Sequence, residues 1–253
     1  MNSLFVFIGK ELEEQIKTFK GVAVAAVLLI FGMTSPLLAK LTPEMLKSAG
    51  LGAAIKIPEP TYLDAYTQFF KNIGEIGIIV LLLVYAGTVV TETTRGTATL
   101  MLTKRLSRPS FIISKFLSSV VVWTISYAGS AALCIVYTLY LFPKNKPVCL
   151  LFALFCMWLF GIVTLAIAVF ASSVFKNYAL AAIGSFAIWG ALLFTTALPK
   201  IKEYTPAYLA ADNMQLLSGT LKPSTAVAPV ISGVLLSALL LMLACVIFRR
   251  REL

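Results

Sequence analysis

The fold class is decided by the stretch VCLLFALFCMWLFGIVTLAIAVFASSV, residues 148–174. It carries no charged side chain and exceeds the roughly 20 residues that an α-helix needs to cross the hydrocarbon core of a bilayer. Every backbone N–H and C=O group in that core must be bonded within the protein, which a helix achieves by itself and an open strand does not. The stretch therefore predicts a transmembrane helix.

Five further apolar stretches accompany it. They are Gly21–Ala39, Ile76–Thr91, Phe116–Phe142, Tyr178–Leu198 and Ala228–Phe248. The stretch from Ile76 reaches spanning length only if its helix also includes residues 71–75, where Lys71 and Glu75 can pair one helical turn apart. We expect an all-α polytopic membrane protein of six transmembrane helices, forming a single transmembrane domain over residues 1–253.

The composition excludes most water-soluble functions. Hydrophobic residues make up 59% of the chain and charged residues 13%, against about 25% charged residues in soluble domains. Such a chain cannot cover a soluble surface, and it is too apolar to be disordered. It contains no histidine, which excludes histidine-based acid–base catalysis, histidine metal sites and Ser-His triads. The four cysteines lie in or beside apolar runs without CxxC spacing, as buried hydrophobic residues do, and no metal site is expected.

The basic residues predict the orientation in the membrane. Their excess gives a net charge of +10, which favours anionic membrane lipid over nucleic acid as a partner. Six spans place both termini on one side, and Arg249, Arg250 and Arg251 directly after the last span mark that side as cytoplasmic. Every arginine of the chain then lies on the cytoplasmic side. We expect a multi-pass protein of the plasma membrane with both termini in the cytoplasm and no nucleic-acid partner.

Residues 1–20 have the pattern of an amphipathic helix. Phe5, Ile8, Leu12, Ile16 and Phe19 recur at steps of three and four residues, with charged residues elsewhere around the helix. Such a helix is expected to lie in the inner membrane interface just before the first span.

Two segments are expected outside the cell, residues 40–71 and residues 199–227. In the first, Thr42-Pro43-Glu44 predicts a short helix that ends at Gly50. A second helix is predicted from Thr61, and its aromatic residues Tyr62, Tyr66, Phe69 and Phe70 are expected to form a belt at the outer interface. In the other segment, Thr205-Pro206 and Gly219 delimit a helix that would lie on the surface or enter the membrane as a re-entrant segment.

The loop of residues 92–110, between the second and third spans, is the most informative segment. Glu92 stands at the inner end of the second span, and Gly96 is expected to break that helix. A short helix is predicted over Thr97–Arg105, followed by Ser107 as the cap of the third helix, with a proline in its first turn. The apolar patch of the short helix consists of Leu100, Met101 and Leu102. A short helix across the inner face of a membrane protein is a shape that another protein can bind.

This loop resembles the intracellular loop of type-2 ABC export permeases, the ABC-2 membrane family. The matching residues are Glu92, Gly96, Thr97, Leu102, Thr103, Lys104, Ser107, Arg108 and Lys115. The resemblance covers the whole chain, because that family also has an amphipathic N-terminal helix, six spans and outer helices before the sixth. In that family the loop is the coupling helix, which docks on a separate ATP-hydrolysing subunit. Many relatives carry a large outer domain after the first span, whereas this chain has only about 30 residues there.

The resemblance implies a transmembrane permease subunit of an ATP-driven ABC exporter, which is not itself an enzyme. ATP and Mg would bind the partner ATPase, because this chain lacks the Gly-x-x-x-x-Gly-Lys-Ser/Thr loop; no cofactor is expected in the chain itself. A second permease, identical or related, would complete the transport path. The implied coupling residues are Glu92, Arg95, Gly96, Thr97, Leu100, Met101, Leu102, Lys104, Arg105, Arg108 and Lys115. Among them, Glu92 is expected to pair with Arg95 or Lys115.

Three other interpretations explain the sequence less well. A basic loop held by anionic headgroups, at about 1 kcal/mol for each Lys or Arg, explains the charge but not the Gly-Thr break, the apolar patch or the acid. An ion-coupled secondary carrier is the alternative function, but such carriers place ionisable residues near the bilayer midplane, where this chain has only cysteine and tyrosine. An intramembrane protease is excluded, because no histidine is present and no aspartate lies in a span. Uncharged spans suit an apolar or amphipathic cargo, such as a peptide, an antibiotic or a lipid.

Overall fold

The computed structural model describes residues 3–48, 59–103, 107–143, 147–198, 201–221 and 223–250. Within these ranges the chain is helical and forms no β-strand. Six helical regions are long and apolar enough to cross a membrane. They cover Lys20–Met45, Tyr62–Thr94, Arg108–Leu141, Leu150–Val174, Tyr178–Ala197 and Ser224–Arg250, and are called spans 1 to 6 below. The predicted all-α polytopic fold of six spans is confirmed.

The N-terminal region consists of two helices joined by a tight turn. Helix α1 covers Ser3–Lys17 and helix α2 covers Lys20–Ser48. Phe19 between them adopts a left-handed backbone conformation with φ of 59°. The predicted separate helix from Thr42 is wrong, because α2 continues through Pro36 and Pro43. Each proline removes one backbone donor, and the hydroxyl group of the residue before it, Ser35 or Thr42, donates to a carbonyl group of the preceding turn.

Span 2 is longer and less regular than the sequence predicts. Helix α3 (Tyr62–Asn72) continues through a π-helical segment (Ile73–Gly77) into helix α4 (Ile78–Tyr85). The predicted aromatic belt is wrong for Tyr66, Phe69 and Phe70, which are buried inside the bundle. Because α2 and α3 extend toward each other, only residues 46–61 separate spans 1 and 2, fewer than the predicted segment 40–71.

A turn at residues 86–89 separates α4 from helix α5 (Val90–Thr94). The hydroxyl group of Ser172 in span 4 accepts hydrogen bonds from the backbone N–H groups of Val89 and Val90 at 2.9 and 3.1 Å. Gly87 in this turn lies against the Tyr178 ring, and a Cβ atom at Gly87 would come within 2.7 Å of that ring. The break is therefore stabilised by neighbouring spans on both sides.

Spans 3 and 4 form the centre of the bundle. Span 3 is helix α7 (Arg108–Leu141), which packs along α2, and span 4 is helix α8 (Leu150–Val174), which contacts spans 2, 3, 5 and 6. Helix α8 is apolar on all sides, as expected for a helix surrounded by others. The Trp123 ring of α7 packs so closely on Gly161 of α8 that any side chain at Gly161 would overlap the ring.

The remaining helices pack around this centre. Helix α9 (Tyr178–Phe194) begins at the Asn177 cap. Two short helices, α10 (Tyr208–Ala211) and α11 (Asn213–Leu217), pack on α8, and Gly219 with φ of 74° ends α11 as the sequence predicts. Helix α12 (Val227–Arg250) completes span 6. Residue 50, predicted to end a helix, lies outside the described residues.

Candidate functional site

The predicted loop between spans 2 and 3 has the expected local structure. Helix α5 ends before Gly96, whose φ of 71° lies in the left-handed region that favours glycine. Helix α6 then covers Thr97–Thr103, which confirms a short helix beginning at Thr97. The Ser107 hydroxyl group accepts a hydrogen bond from the Ser110 N–H group at 3.2 Å and caps α7. The break at Gly96 therefore separates α6 from span 2.

A buried ion cluster lies directly behind this loop. The Lys115 ammonium group of α7 forms ion pairs with Glu92 of α5 and, at 2.6 Å, with Glu11 of α1. The exposed fractions of these side chains are 2% for Lys115, 10% for Glu92 and 4% for Glu11. Of the two partners predicted for Glu92, the structure selects Lys115, whereas Arg95 is exposed. The cluster joins the N-terminal helix, the loop and span 3.

A second buried contact runs parallel to the ion cluster. Gln15 lies one turn after Glu11 on α1. Its amide N–H donates to the Ser118 hydroxyl group at 2.9 Å, and its amide oxygen accepts a hydrogen bond from the Tyr85 hydroxyl group at 2.9 Å. Ser118 lies on α7 and Tyr85 on α4. Glu11 and Gln15 thus attach the same face of α1 to spans 2 and 3.

Apolar residues at both ends of the N-terminal segment are exposed. Phe5, Ile16 and Phe19 are 61–71% exposed, as expected for a helix whose apolar side faces lipid rather than the bundle. On the solvent-accessible part of the helix, a hydrogen bond from Lys17 lowers the pKa of Glu13. Helix α1 therefore contacts the bundle through buried polar residues and through Phe7, whose ring packs on Phe111, and it exposes Phe5 and Ile16.

The charges of the ion cluster do not balance. Two carboxylates face one ammonium group, which leaves a net charge of −1 when all three are ionised. Glu11 Oε1 and Glu92 Oε2 are buried without a hydrogen-bond partner, and a carboxylate oxygen of Glu14 lies within 4.8 Å of theirs. Because Lys115 already neutralises part of this charge, the cluster is an ion-pair network with an excess of acid.

A cleft of about 510 Å³ opens beside the cluster. Its walls come from α1, the end of span 2, the loop and Tyr178 at the start of span 5. Arg95, Thr97 and Met101 of the loop line it together with Glu92 and Lys115. The cleft is bounded by the N-terminal helix on one side and by α6 on the other, so a change in either helix alters its shape.

Comparison with known proteins identifies the family to which the chain belongs. The sequence model described as ABC-2 family transporter protein matches residues 6–253. This chain belongs to the ABC-2 transporter family. It is also similar to the "Uncharacterized transmembrane protein YxlG" of Bacillus subtilis (strain 168), with 23% identity over 223 residues that cover 86% of each chain. As a member of the ABC-2 family, the chain is a membrane permease subunit of an ABC transporter, and the resemblance seen in the loop is confirmed.

Of the other predicted coupling residues of this ABC-2 permease, some contact the bundle and others lie outside the described residues. Met101 packs against the bundle, and the Lys10 ammonium group lies 3.6 Å from its sulfur atom. Arg108 donates to the carbonyl oxygens of Phe248 and Arg249, at 3.3 and 2.7 Å, and so connects α7 to the end of α12. Lys104, Arg105 and the side chains of Leu100 and Leu102 lie outside the described residues.

Sequence reasoning missed two residues of the ABC-2 site, Glu11 and Gln15. Neither residue is singled out by the sequence, because polar residues of an amphipathic helix are normally solvated. Their spacing of four residues, which places both on one face beside the apolar stripe, was the available signal. It does not by itself identify a buried partner such as Lys115, which is 104 residues away in sequence.

Proposed function

We propose that this chain is the permease subunit of an ATP-driven exporter of the plasma membrane, and that α6 is the coupling helix that receives the movement of a separate ATPase subunit. ATP and Mg bind the partner in this proposal. Both termini and α6 lie in the cytoplasm, whereas the segments between spans 1 and 2 (residues 46–61) and between spans 5 and 6 (residues 198–223) lie outside. The cargo is apolar or amphipathic, such as a peptide, an antibiotic or a lipid.

The observation that carries the proposal is the attachment of α6 to the bundle through the ion cluster. A helix that only rests on lipid headgroups needs no buried connection to the spans. Here Glu92, four residues before the Gly96 break, is paired with Lys115 inside the bundle. The Thr97 hydroxyl group donates to the Glu92 carbonyl oxygen at 3.3 Å and connects the start of α6 to the same residue. Displacement of α6 by a partner would therefore act directly on spans 2 and 3.

A second permease, identical or related, is part of the proposal. Family membership supports it, and span 5 supplies a surface for it. Only 17% of the most apolar part of span 5 is buried within this chain, compared with 61% for span 4. Another permease or lipid must cover that surface in the membrane.

Co-purification with the ATPase subunit in nanodiscs tests the coupling assignment. Leu102→Asp is expected to release the ATPase, because it places an unpaired charge in the apolar patch predicted for the contact. Glu92→Ala is expected to leave partner binding intact and to lower transport-linked ATP turnover, because it disconnects the loop from Lys115. The isolated permease is expected neither to bind nor to hydrolyse ATP.

Ser218→Asp is the matched control, because it adds the same charge to an exposed position at the other end of the bundle. It should change neither ATPase binding nor ATP turnover. A loop bound only to headgroups would give the opposite ranking, with loss of Lys104 and Arg105 having the largest effect. Full partner binding and full coupling in Leu102→Asp would refute the coupling assignment.

A further inference from the structure

A second pocket lies at the end of the bundle far from α6. It has a volume of about 320 Å³, is open on one side, and is lined by α3 and the π-helical segment of span 2, by α8 and α9, and by the short helices α10 and α11. Its volume lies at the lower end of the range for small-molecule sites, which are mostly apolar with a few polar groups. Phe70, Phe160 and Leu193 provide apolar wall.

Two buried polar groups in this pocket have no partner. Asn213 is 3% exposed; its amide Nδ2 donates to the Ala210 carbonyl oxygen at 3.2 Å, which fixes the orientation of the amide and leaves Oδ1 as an unpaired acceptor. The indole N–H of Trp189 is an unpaired donor. Both residues line the pocket. An unpaired buried polar group costs about 1–3 kcal/mol, so a complementary ligand is favoured there.

The other two tryptophans of the chain both have a hydrogen-bond acceptor for the indole N–H group, unlike Trp189. Trp123 donates to the Trp158 carbonyl oxygen at 3.0 Å, and Trp158 donates to the Thr124 hydroxyl at 3.0 Å. In the bundle centre the spans therefore satisfy the indole groups. Only at the pocket, among the three tryptophans of the chain, does one lack an acceptor.

The π-helical segment shapes the pocket wall. Such segments are rare and frequently occur at functional sites. Gly74 and Glu75 of this segment line the pocket together with Lys71 of α3. A Cβ atom at Gly74 would lie 3.1 Å from the Met157 side chain, so the wall is tightly packed behind the cavity. Lys71 and Glu75 are exposed and form a charged rim around an apolar interior.

We propose that this pocket binds an amphipathic molecule whose polar end is an amide group. The amide oxygen accepts a hydrogen bond from Trp189, the amide N–H donates to Asn213 Oδ1, and the apolar body packs on Phe70, Phe160 and Leu193. The two unpaired protein groups, one donor and one acceptor, match the two groups of an amide. Neither the ATPase nor transport is part of this proposal, so it stands or fails separately from the proposed function.

Binding of tritiated dodecanamide to the purified permease in nanodiscs tests the proposal, with methyl dodecanoate as the matched probe. Both molecules have the same apolar chain and a carbonyl acceptor, but only the amide has a donor for Asn213. Saturable binding above that of empty nanodiscs is expected for both, with dodecanamide binding about 5-fold more tightly because it satisfies one more buried group.

Two variants separate the two hydrogen bonds. Asn213→Ala should remove the preference for the amide and leave ester binding unchanged, which also shows that the pocket remains folded. Trp189→Phe should weaken both probes by roughly 3- to 10-fold, the effect of one lost hydrogen bond. Trp158→Phe removes an indole that is paired inside the bundle, and it should weaken neither probe. Binding indistinguishable from empty nanodiscs, or an amide preference that survives Asn213→Ala, would overturn the proposal.

Discussion

Lys115→Met tests whether the buried ion cluster holds the loop to the bundle. Methionine retains most of the length and apolar stem of lysine but removes the ammonium group. Glu11 and Glu92 would then face each other inside the protein without a compensating charge, since their side chains are only 4% and 10% exposed. Removing one partner of a buried ion pair costs about 3–5 kcal/mol. In a chain of this size 1 kcal/mol lowers the melting temperature by about 2–4 °C, so we expect a decrease of roughly 6–20 °C.

Thermal unfolding in detergent, followed by tryptophan fluorescence, measures this change. Glu11→Gln alone should be much milder, because it removes the excess negative charge and leaves the pair of Lys115 with Glu92. The triple variant Glu11→Gln/Glu92→Gln/Lys115→Met should recover most of the loss, because no charge remains buried. Lys17→Met is the matched control, since the Lys17–Glu13 pair is exposed and should not affect melting.

Two outcomes would refute the reasoning. If Lys115→Met melts at the same temperature as the wild type, loss of the ammonium group leaves no uncompensated buried charge in the folded variant. If the triple variant is no more stable than Lys115→Met alone, the loss arises from packing around position 115 rather than from charge.

Two further predictions concern the loop and the topology. Gly96→Ala should destabilise the start of α6 by about 1–2 kcal/mol, because alanine is strained at positive φ. Gly9→Ala, in the exposed part of α1, is the control and should be neutral or stabilising. Amide hydrogen exchange of α5 and α6, and of α1 for the control, measures these effects. The topology can be tested with single cysteines in a cysteine-free background and an impermeant thiol reagent applied to intact cells. Cysteines at Ser48 and Lys202 should be labelled, and a cysteine at Lys104 should remain unlabelled. The reverse pattern would contradict the topology.

Features that depend on neighbouring residues in the sequence could be predicted. The six apolar stretches, the break at Gly96 and the cap at Ser107 all follow from local chemistry, and the structure has each of them. The end of α11 at Gly219 belongs to the same group. In each case one residue, or the composition of one segment, determines the result.

Features that depend on packing between spans could not be predicted. Pro43 ends a helix in isolation, but α2 continues through it, with the Thr42 hydroxyl donating to the Leu38 carbonyl oxygen. The aromatic residues of α3 have the composition of an interface belt, yet Tyr66 and Phe69 are buried because α3 is the first part of span 2. The Glu11–Lys115 pair joins two elements far apart in sequence. Tertiary contacts override the local preference in all three cases.

Span 2 connects the two regions to which a function is assigned. Its π-helical segment lines the amide pocket, and its far end carries Glu92 in the ion cluster. Between them the helix is broken at residues 86–89, and this break is held by the Ser172 hydroxyl group on one side and the Tyr178 ring on the other. Within span 2, Glu92 is connected to the π-helical segment only through this turn, because the two helical parts of the span meet there. Contacts from spans 4 and 5 therefore contribute to how firmly the two ends of span 2 are connected.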